Sequence, residues 1–236
     1  LIRSCRRTST WFTSGRMVCW ASFEVCTYSS ETRVWRHRSS DRRRWQEGGG
    51  WGEWVNGGAI LTNMDSAFVK GMQRFIIMDL HRKVDLIAAV DREGKTCRGI
   101  CLPHKCSGGR ALLIGQSQGL LHCVSEHKKW EGYCLQWAGL FVWVLEDYDM
   151  DKWVLKLRVT HLELFGKTYS SAGLDYNVLA IHPDRNMLFL HHCNKLMSYD
   201  MGSRELRTFH TLRSNHGFFT PYVPCFLDLP VLENKN

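Results

Sequence analysis

Residues 141–154, FVWVLEDYDMDKWV, carry the clearest structural signal in the chain. An apolar run leads into a turn that contains three aspartates, and a second run follows that includes Trp153. β-Branched and aromatic residues favour strands, whereas Asp favours turns. The stretch therefore predicts a β-hairpin whose two strands are joined by an acidic turn at residues 146–151.

The same pattern recurs three more times along the chain. It is found in VCTYSSETRVW (25–35), IAAVDREGKTC (87–97) and LMSYDMGSREL (196–206). In these copies an apolar residue follows the last strand residue after seven positions, and in the hairpin at 141–154 it follows after eight. The recurrence indicates one structural unit used several times, and the alternative is four unrelated hairpins in an ordinary all-β domain.

The copies are evenly spaced. Their last strand residues are Tyr28, Val90, Leu145 and Tyr199, so the successive steps are 62, 55 and 54 residues. A period of roughly 50 residues that carries several strands is the size of a β-propeller blade of the kelch kind.

A second strand–turn–strand element precedes each of the last three hairpins. The three elements are AFVKGMQRFII (67–77), ALLIGQSQGLLHCV (111–124) and YNVLAIHPDRNMLFL (176–190). Two hairpins in series make one four-stranded antiparallel blade. No segment shows a helical period longer than about two turns, so the class is all-β.

The sequence thus predicts a partial β-propeller of about three to three-and-a-half four-stranded antiparallel blades. The predicted blades span residues 65–100, 110–160 and 175–210, and the hairpin at 25–36 is the outer half of an earlier one. In domain terms we predict an irregular basic segment at 1–22, the propeller domain at 23–230 and a tail at 231–236.

Composition and cysteine usage indicate an intracellular protein of the cytoplasm or nucleus. The chain is 44% hydrophobic and 12% aromatic, which is typical of a globular domain. It has no apolar run of about 18 residues, so we expect no membrane span. Its ten cysteines are scattered, several of them inside apolar strands, and no N-glycosylation sequon is present.

The basic charge is concentrated at the start of the chain. Residues 1–50 hold ten arginines and four acidic residues, within a chain of net charge +8. An Arg-rich nucleic-acid binder is therefore one alternative function. Because these arginines are mixed with Ser, Thr and Trp and form no helical stripe or known motif, we do not expect nucleic acid as a partner.

The GQSQG stretch at 115–119 fits the G-x-S-x-G pattern of a hydrolase nucleophile. That motif requires a helix after Ser117, whereas residues 120–124 predict a strand. We therefore interpret the two glycines as residues of a hairpin turn.

A second chemical candidate is the group Cys97, Cys101, His104 and Cys106, which offers four soft ligands for zinc. The spacing matches no standard zinc motif, and other copies of the repeat place Trp or Leu at the position of Cys97. A propeller-based hydrolase or metal-dependent enzyme thus stays an alternative. Our expectation is a protein without enzymatic activity, metal or cofactor.

The chain resembles the plant F-box-associated propeller proteins, particularly those abundant in grasses. The phrases that carry the resemblance include VWVLEDYDMDKWVLKLRV (142–159), YNVLAIHPDRNMLFL (176–190) and TPYVPCF (220–226), within a similarity that covers residues 23–230. The resemblance implies the substrate-recognition subunit of a cullin–RING ubiquitin ligase, whose propeller binds the protein to be ubiquitinated. Nothing before Phe23 is typical of an F-box, so we expect a C-terminal part, a fragment, whose ligase adaptor is a partner only if an F-box lies upstream.

We therefore predict a protein-interaction domain that binds a protein substrate of the ligase and no membrane. Exposed aromatic residues dominate protein interfaces, so the loops that carry aromatics are the candidate contact sites. The alternative for each of these side chains is packing between blades. The candidate residues are Trp45, Trp51, Trp54, Trp130, Tyr133 and Trp137.

Overall fold

The structure is a computed structural model that describes residues 24–29, 34–39, 58–60, 66–79, 84–91, 97–103, 111–131, 133–166 and 176–213. These residues form fifteen β-strands and one short helix. The predicted segments 1–22 and 231–236 lie outside them. The elements are β1 (Glu24–Ser29), β2 (Val34–Ser39), β3 (Gly58–Ile60), β4 (Ala67–Val69), β5 (Met72–Asp79), β6 (Val84–Asp91), β7 (Cys97–Cys101), β8 (Ala111–Ser117), β9 (Leu120–Glu131), β10 (Cys134–Asp147), β11 (Lys152–Thr160), α1 (His161–Phe165), β12 (Tyr176–Ile181), β13 (Met187–His192), β14 (Lys195–Asp200) and β15 (Glu205–Thr211).

The strands form three antiparallel sheets in which neighbours in sequence are neighbours in space. Blade 1 contains β4, β5, β6 and β7, with β3 also pairing with β5; blade 2 contains β8 to β11; blade 3 contains β12 to β15. A further hairpin pairs β1 with β2. This confirms the predicted all-β fold: a partial propeller of three blades plus an additional hairpin, with blade limits close to those predicted.

The hairpin that recurs in the sequence is the outer hairpin of each blade. In all four copies the last apolar or aromatic residue of its first strand is the cross-strand partner of the apolar residue seven or eight positions later. In blade 2 the step is eight residues because a β-bulge at Glu146 separates the pair at Leu145 from the pair at Asp147. The sequence repeat is therefore a repeat of strand register. The four pairs are Tyr28 with Trp35, Val90 with Cys97, Leu145 with Trp153, and Tyr199 with Leu206.

The first strands of the three blades lie side by side. β8 packs against β4 on one side and against β12 on the other. At the end of β8 the N–H of Gln118 donates to the carbonyl oxygen of Pro183 at 2.6 Å. A Cβ at Gly115 would overlap the side chain of Ile181, so glycine permits this close approach. Adjacent first strands are the arrangement expected of blades that radiate from one axis.

Two hydrophobic cores fill the spaces between the blades. Ile87, Leu121 and Leu145 belong to the core between blades 1 and 2, and Val142 and Leu188 to the core between blades 2 and 3. The central strands of blade 2 are therefore buried on both faces. This explains why residues 140–145 of β10 are continuously apolar instead of alternating.

Candidate interaction surface

The hairpin of β9 and β10 extends beyond the rest of blade 2. These strands have 12 and 14 residues. β8 pairs with β9 only as far as Ser125, and β11 pairs with β10 only as far as Gly139. Residues 127–131 and 133–138 consequently form a two-stranded extension in the described part of the chain, here called the hairpin arm.

The register of the hairpin arm places its apolar positions on one face. Lys128 pairs with Trp137, and Trp130 pairs with Leu135. Cross-strand partners share a face, and positions two apart on one strand share it too. All four positions therefore lie on the same face, three of them apolar. The positions of the opposite face are Lys129, Glu131, Cys134 and Gln136.

Tyr133 lies at the tip of the hairpin arm and is fully exposed, with a relative accessibility of 101%. Trp130 and Trp137 are strand residues of the same arm. The structure thus brings together three of the six predicted contact residues. The other three, Trp45, Trp51 and Trp54, lie outside the described residues.

Gly139 fixes the geometry where the hairpin arm leaves the blade. Its φ is +153°, and a Cβ there would overlap the backbone of Val159 and Thr160 on the neighbouring strand. A bulge between Trp137 and Gly139 marks the same point. Only glycine allows β11 to approach so closely at a bulge.

A buried polar cluster lies at the base of the hairpin arm, between blades 2 and 3. Nε2 of His161, the first residue of α1, is 3.1 Å from Oη of Tyr176, the first residue of β12, and both side chains are buried. Burial, together with the nearby charge of Glu126, raises the pKa of Tyr176 well above its ordinary value of 10.0. Tyr176 is therefore a neutral hydroxyl at physiological pH. No motif in the sequence indicates this cluster, because its members lie on separate elements.

A capping box orients α1 beside the cluster. The Thr160 hydroxyl accepts a hydrogen bond from the Glu163 N–H, and the Glu163 carboxylate accepts one from the Thr160 N–H. The Thr160 N–H and the Thr160 hydroxyl both donate to the Glu163 carboxylate, and these two bonds lower the pKa of Glu163 below its ordinary value. Gly166, with φ of +67°, ends the helix in the left-handed conformation.

Ser117 immediately precedes a hairpin turn. The sequence predicted that Gly115 and Gly119 are both turn residues, which is confirmed for Gly119 and wrong for Gly115, since Gly115 lies within β8. Ser117 ends β8, and Gln118 and Gly119 follow with φ of +51° and +76° before β9 begins. Two successive positive φ values are the signature of a type I′ turn. Ser117 is buried, and its hydroxyl lies 3.4 Å from the carbonyl oxygen of Arg185. This geometry differs from the strand–helix elbow of a hydrolase.

Of the suspected zinc ligands, Cys97 and Cys101 lie on β7, while His104 and Cys106 are outside the described residues. The part of the chain that the structure describes contains no group of three or more His, Cys, Asp or Glu side chains that could hold a metal ion.

No protein-family model matches this chain, and no curated protein matches it either. In the described ranges, the helix is too short to cross a membrane.

Proposed function

We propose that this chain is a non-enzymatic protein-interaction domain and that the hairpin arm is its contact surface. The observation that carries the proposal is the register of the arm, which collects Trp130, Leu135 and Trp137 on one face beside the exposed Tyr133. Trp and Tyr are the residues most enriched at the energetic centres of protein interfaces. Lys128, on the same face, adds a positive charge that favours an acidic partner surface.

The low intrinsic stability of a two-stranded extension also supports a role in binding another protein. An isolated hairpin is marginally stable in water, and it gains stability when its apolar face packs against another surface. Neither β8 nor β11 reaches the hairpin arm, so the described strands of blade 2 supply no third strand there. A partner protein that covers the apolar face would supply the missing contact.

The resemblance to grass F-box-associated propellers suggests which kind of partner this is. We propose a protein substrate that is presented to a cullin–RING ubiquitin ligase, inside the cell. Docking on the ligase adaptor would require an F-box upstream of Leu1. The hairpin arm would then be a substrate-recognition element.

Quantitative affinity capture tests the proposal. The wild-type chain, the double variant Trp130→Ala/Trp137→Ala, Tyr133→Ala and the matched control Lys129→Ala, on the opposite face, are used as baits in the same plant extract. We expect a set of proteins that Lys129→Ala retains and the double variant loses by tenfold or more. Circular dichroism checks that all four baits are folded.

Two results would each contradict one part of the proposal. If the double variant and Lys129→Ala capture the same proteins in the same amounts, the hairpin arm is not the contact surface. If the captured proteins show no increase in abundance when cullin–RING ligases are inhibited, the ligase part of the proposal fails while the interaction part stands.

A further inference from the structure

The outer edge of blade 1 is capped by side chains of blade 2. β7 is the edge strand of its sheet. The N–H of Cys101 donates to Oδ2 of Asp151 at 3.3 Å, and the carbonyl oxygen of Cys101 accepts from Nε1 of Trp153 at 2.8 Å. Unpaired groups on an edge strand are a template for other chains, so these two side chains protect the edge.

Arg98 on the same strand provides the charge that holds the acidic turn in place. One guanidinium nitrogen lies 3.0 Å from the Asp151 carboxylate, and the group also reaches the carboxylate of Asp149 at 3.4 Å and its carbonyl oxygen at 2.9 Å. The blade 2 turn therefore recognises β7 through a combination of two aspartates and one tryptophan, in the spacing Asp-x-Asp-x-Trp.

The relationship repeats one blade further. In blade 3, Arg204 in the turn between β14 and β15 donates to the carbonyl oxygen of Arg158 on β11 at 3.2 Å. It also forms an ion pair with Glu163 at 2.8 Å. β7 and β11 are thus each contacted by the outer hairpin of the following blade, through carboxylates and a tryptophan at β7 and through an arginine at β11.

β15 is the outer strand of blade 3, and within the described ranges no hairpin follows to cap it. Six of its seven residues are exposed, all except Leu206. Arg207 follows the repeat position Leu206 just as Arg98 follows Cys97. Its side chain is 76% exposed, and among the described residues it forms an ion pair only with Glu205, two residues away on the same strand, at 2.6 Å.

We propose that the outer edge of β15 is a docking site for an acidic β-hairpin of a partner chain, of the Asp-x-Asp-x-Trp type that blade 2 presents to β7. Arg207 binds the two carboxylates, as Arg98 does. An exposed ion pair such as Glu205–Arg207 contributes little to stability. The small cost of breaking it is therefore offset when Arg207 binds two incoming carboxylates. Phe209, 56% exposed and edge-on to Phe189 at 6.1 Å, offers an apolar surface to the incoming tryptophan.

The mode of binding is the recognition of a sheet edge by another chain. Main-chain groups of β15 provide affinity, and Arg207 selects for acidic partners. The surface lies on blade 3, whereas the hairpin arm belongs to blade 2. The two proposals therefore stand or fall separately.

A labelled cyclic peptide with the sequence of residues 143–156, WVLEDYDMDKWVLK, serves as the probe, and circular dichroism first verifies its hairpin. Fluorescence anisotropy follows its binding to the full chain. We expect saturable binding that weakens as salt is added and falls at least tenfold with Arg207→Glu. The control Arg213→Ala, a basic residue just beyond β15, binds as the wild type does.

A charge exchange decides the assignment. A peptide in which both Asp149 and Asp151 are replaced by Lys should not bind the wild-type chain but should regain binding to Arg207→Glu. Absence of saturable binding to the wild-type chain, or equal binding by wild type and Arg207→Glu, overturns the proposal. Because Arg207 is exposed, its replacement leaves the fold intact, and the melting curve of the variant verifies this.

Discussion

The guanidinium of Arg74 in blade 1 lies over the ring of Tyr148 in the outer turn of blade 2, 4.9 Å from the ring centroid. Arg74 is buried, and its Nη1 donates to the carbonyl oxygens of Val69 and Met72. The Tyr148 hydroxyl in turn accepts the N–H of Leu121 at 2.9 Å. A buried cation is thereby stabilised by backbone carbonyls and an aromatic face, and one tyrosine joins two blades.

Replacing Tyr148 should separate these two contributions. In Tyr148→Phe the ring stays and the hydrogen bond to Leu121 is lost, so we expect unfolding free energy to fall by about 1 kcal/mol. In Tyr148→Ala the cation–π contact is lost too, and we expect a fall of roughly 2–4 kcal/mol. Urea unfolding of both variants measures the difference. Equal losses would show that the ring contributes nothing to stability.

Gly139→Ala should destabilise the protein more than a glycine replacement in open space. At Gly139 a Cβ overlaps the backbone of β11, whereas at Gly166, with φ of +67°, nothing lies within 4 Å. Gly166→Ala therefore costs only the left-handed conformation, about 1 kcal/mol. We expect Gly139→Ala to cost at least about 3 kcal/mol, because the strands must also separate. Thermal unfolding of the pair tests this, and similar melting temperatures would contradict it.

His122 should make stability depend on pH near neutrality. The side chain is buried in β9, and burial lowers its pKa below the ordinary 6.5. The unfolded chain therefore binds a proton at a higher pH than the folded chain. Stability is full above pH 6.5 and falls as the pH drops through 6.5 toward the folded pKa.

The measurement is the unfolding free energy at a series of pH values from 8 to 5. In His122→Gln, which keeps a polar side chain of similar size, we expect the decline in this interval to be smaller than in the wild type. His210, exposed on β15, provides the matched control through His210→Gln. Identical pH profiles for wild type and His122→Gln would contradict the assignment.

Two aspartates should determine the acid sensitivity of the outer turns. Oδ1 of Asp147 accepts the N–H groups of Asp149 and Met150, and Oδ1 of Asp200 accepts those of Gly202 and Ser203. These bonds hold the pKa of both carboxylates below the ordinary 3.8. Their contribution to stability is present above pH 3.8 and is lost as the pH falls through the lower folded pKa.

Asn and Ala replacements distinguish charge from hydrogen bonding at these turns. Asn keeps an acceptor oxygen and loses the charge, so Asp147→Asn and Asp200→Asn should be less sensitive to acid between pH 4 and 2. Ala removes the acceptor, and its variants should be less stable at neutral pH as well. Acid unfolding curves followed by circular dichroism test both statements. Retained acid sensitivity in the Asn variants would assign it to other groups.

The hairpin arm shows where sequence patterns stop being informative. Buried strands are recognised because one face or both faces are apolar, as in residues 142–145. The arm is a two-stranded extension, and HKKWE followed by LQW has the polar composition of a loop. The alternation that places Trp130 and Trp137 on one face is visible only once Lys128 is known to pair with Trp137. Pairing across a turn of unknown length cannot be read from composition.

The amino-acid sequence by itself determined the all-β class, the number of blades and their approximate limits. These features depend on neighbours in sequence: turn chemistry, strand propensity and a regular period. Only the tertiary structure decided which side chains link one blade to the next. Arg98 and Asp151 are 53 positions apart in the sequence, and their contact exists because two separate sheets are packed side by side. Such long-range contacts depend on the relative placement of whole blades, which no local pattern encodes.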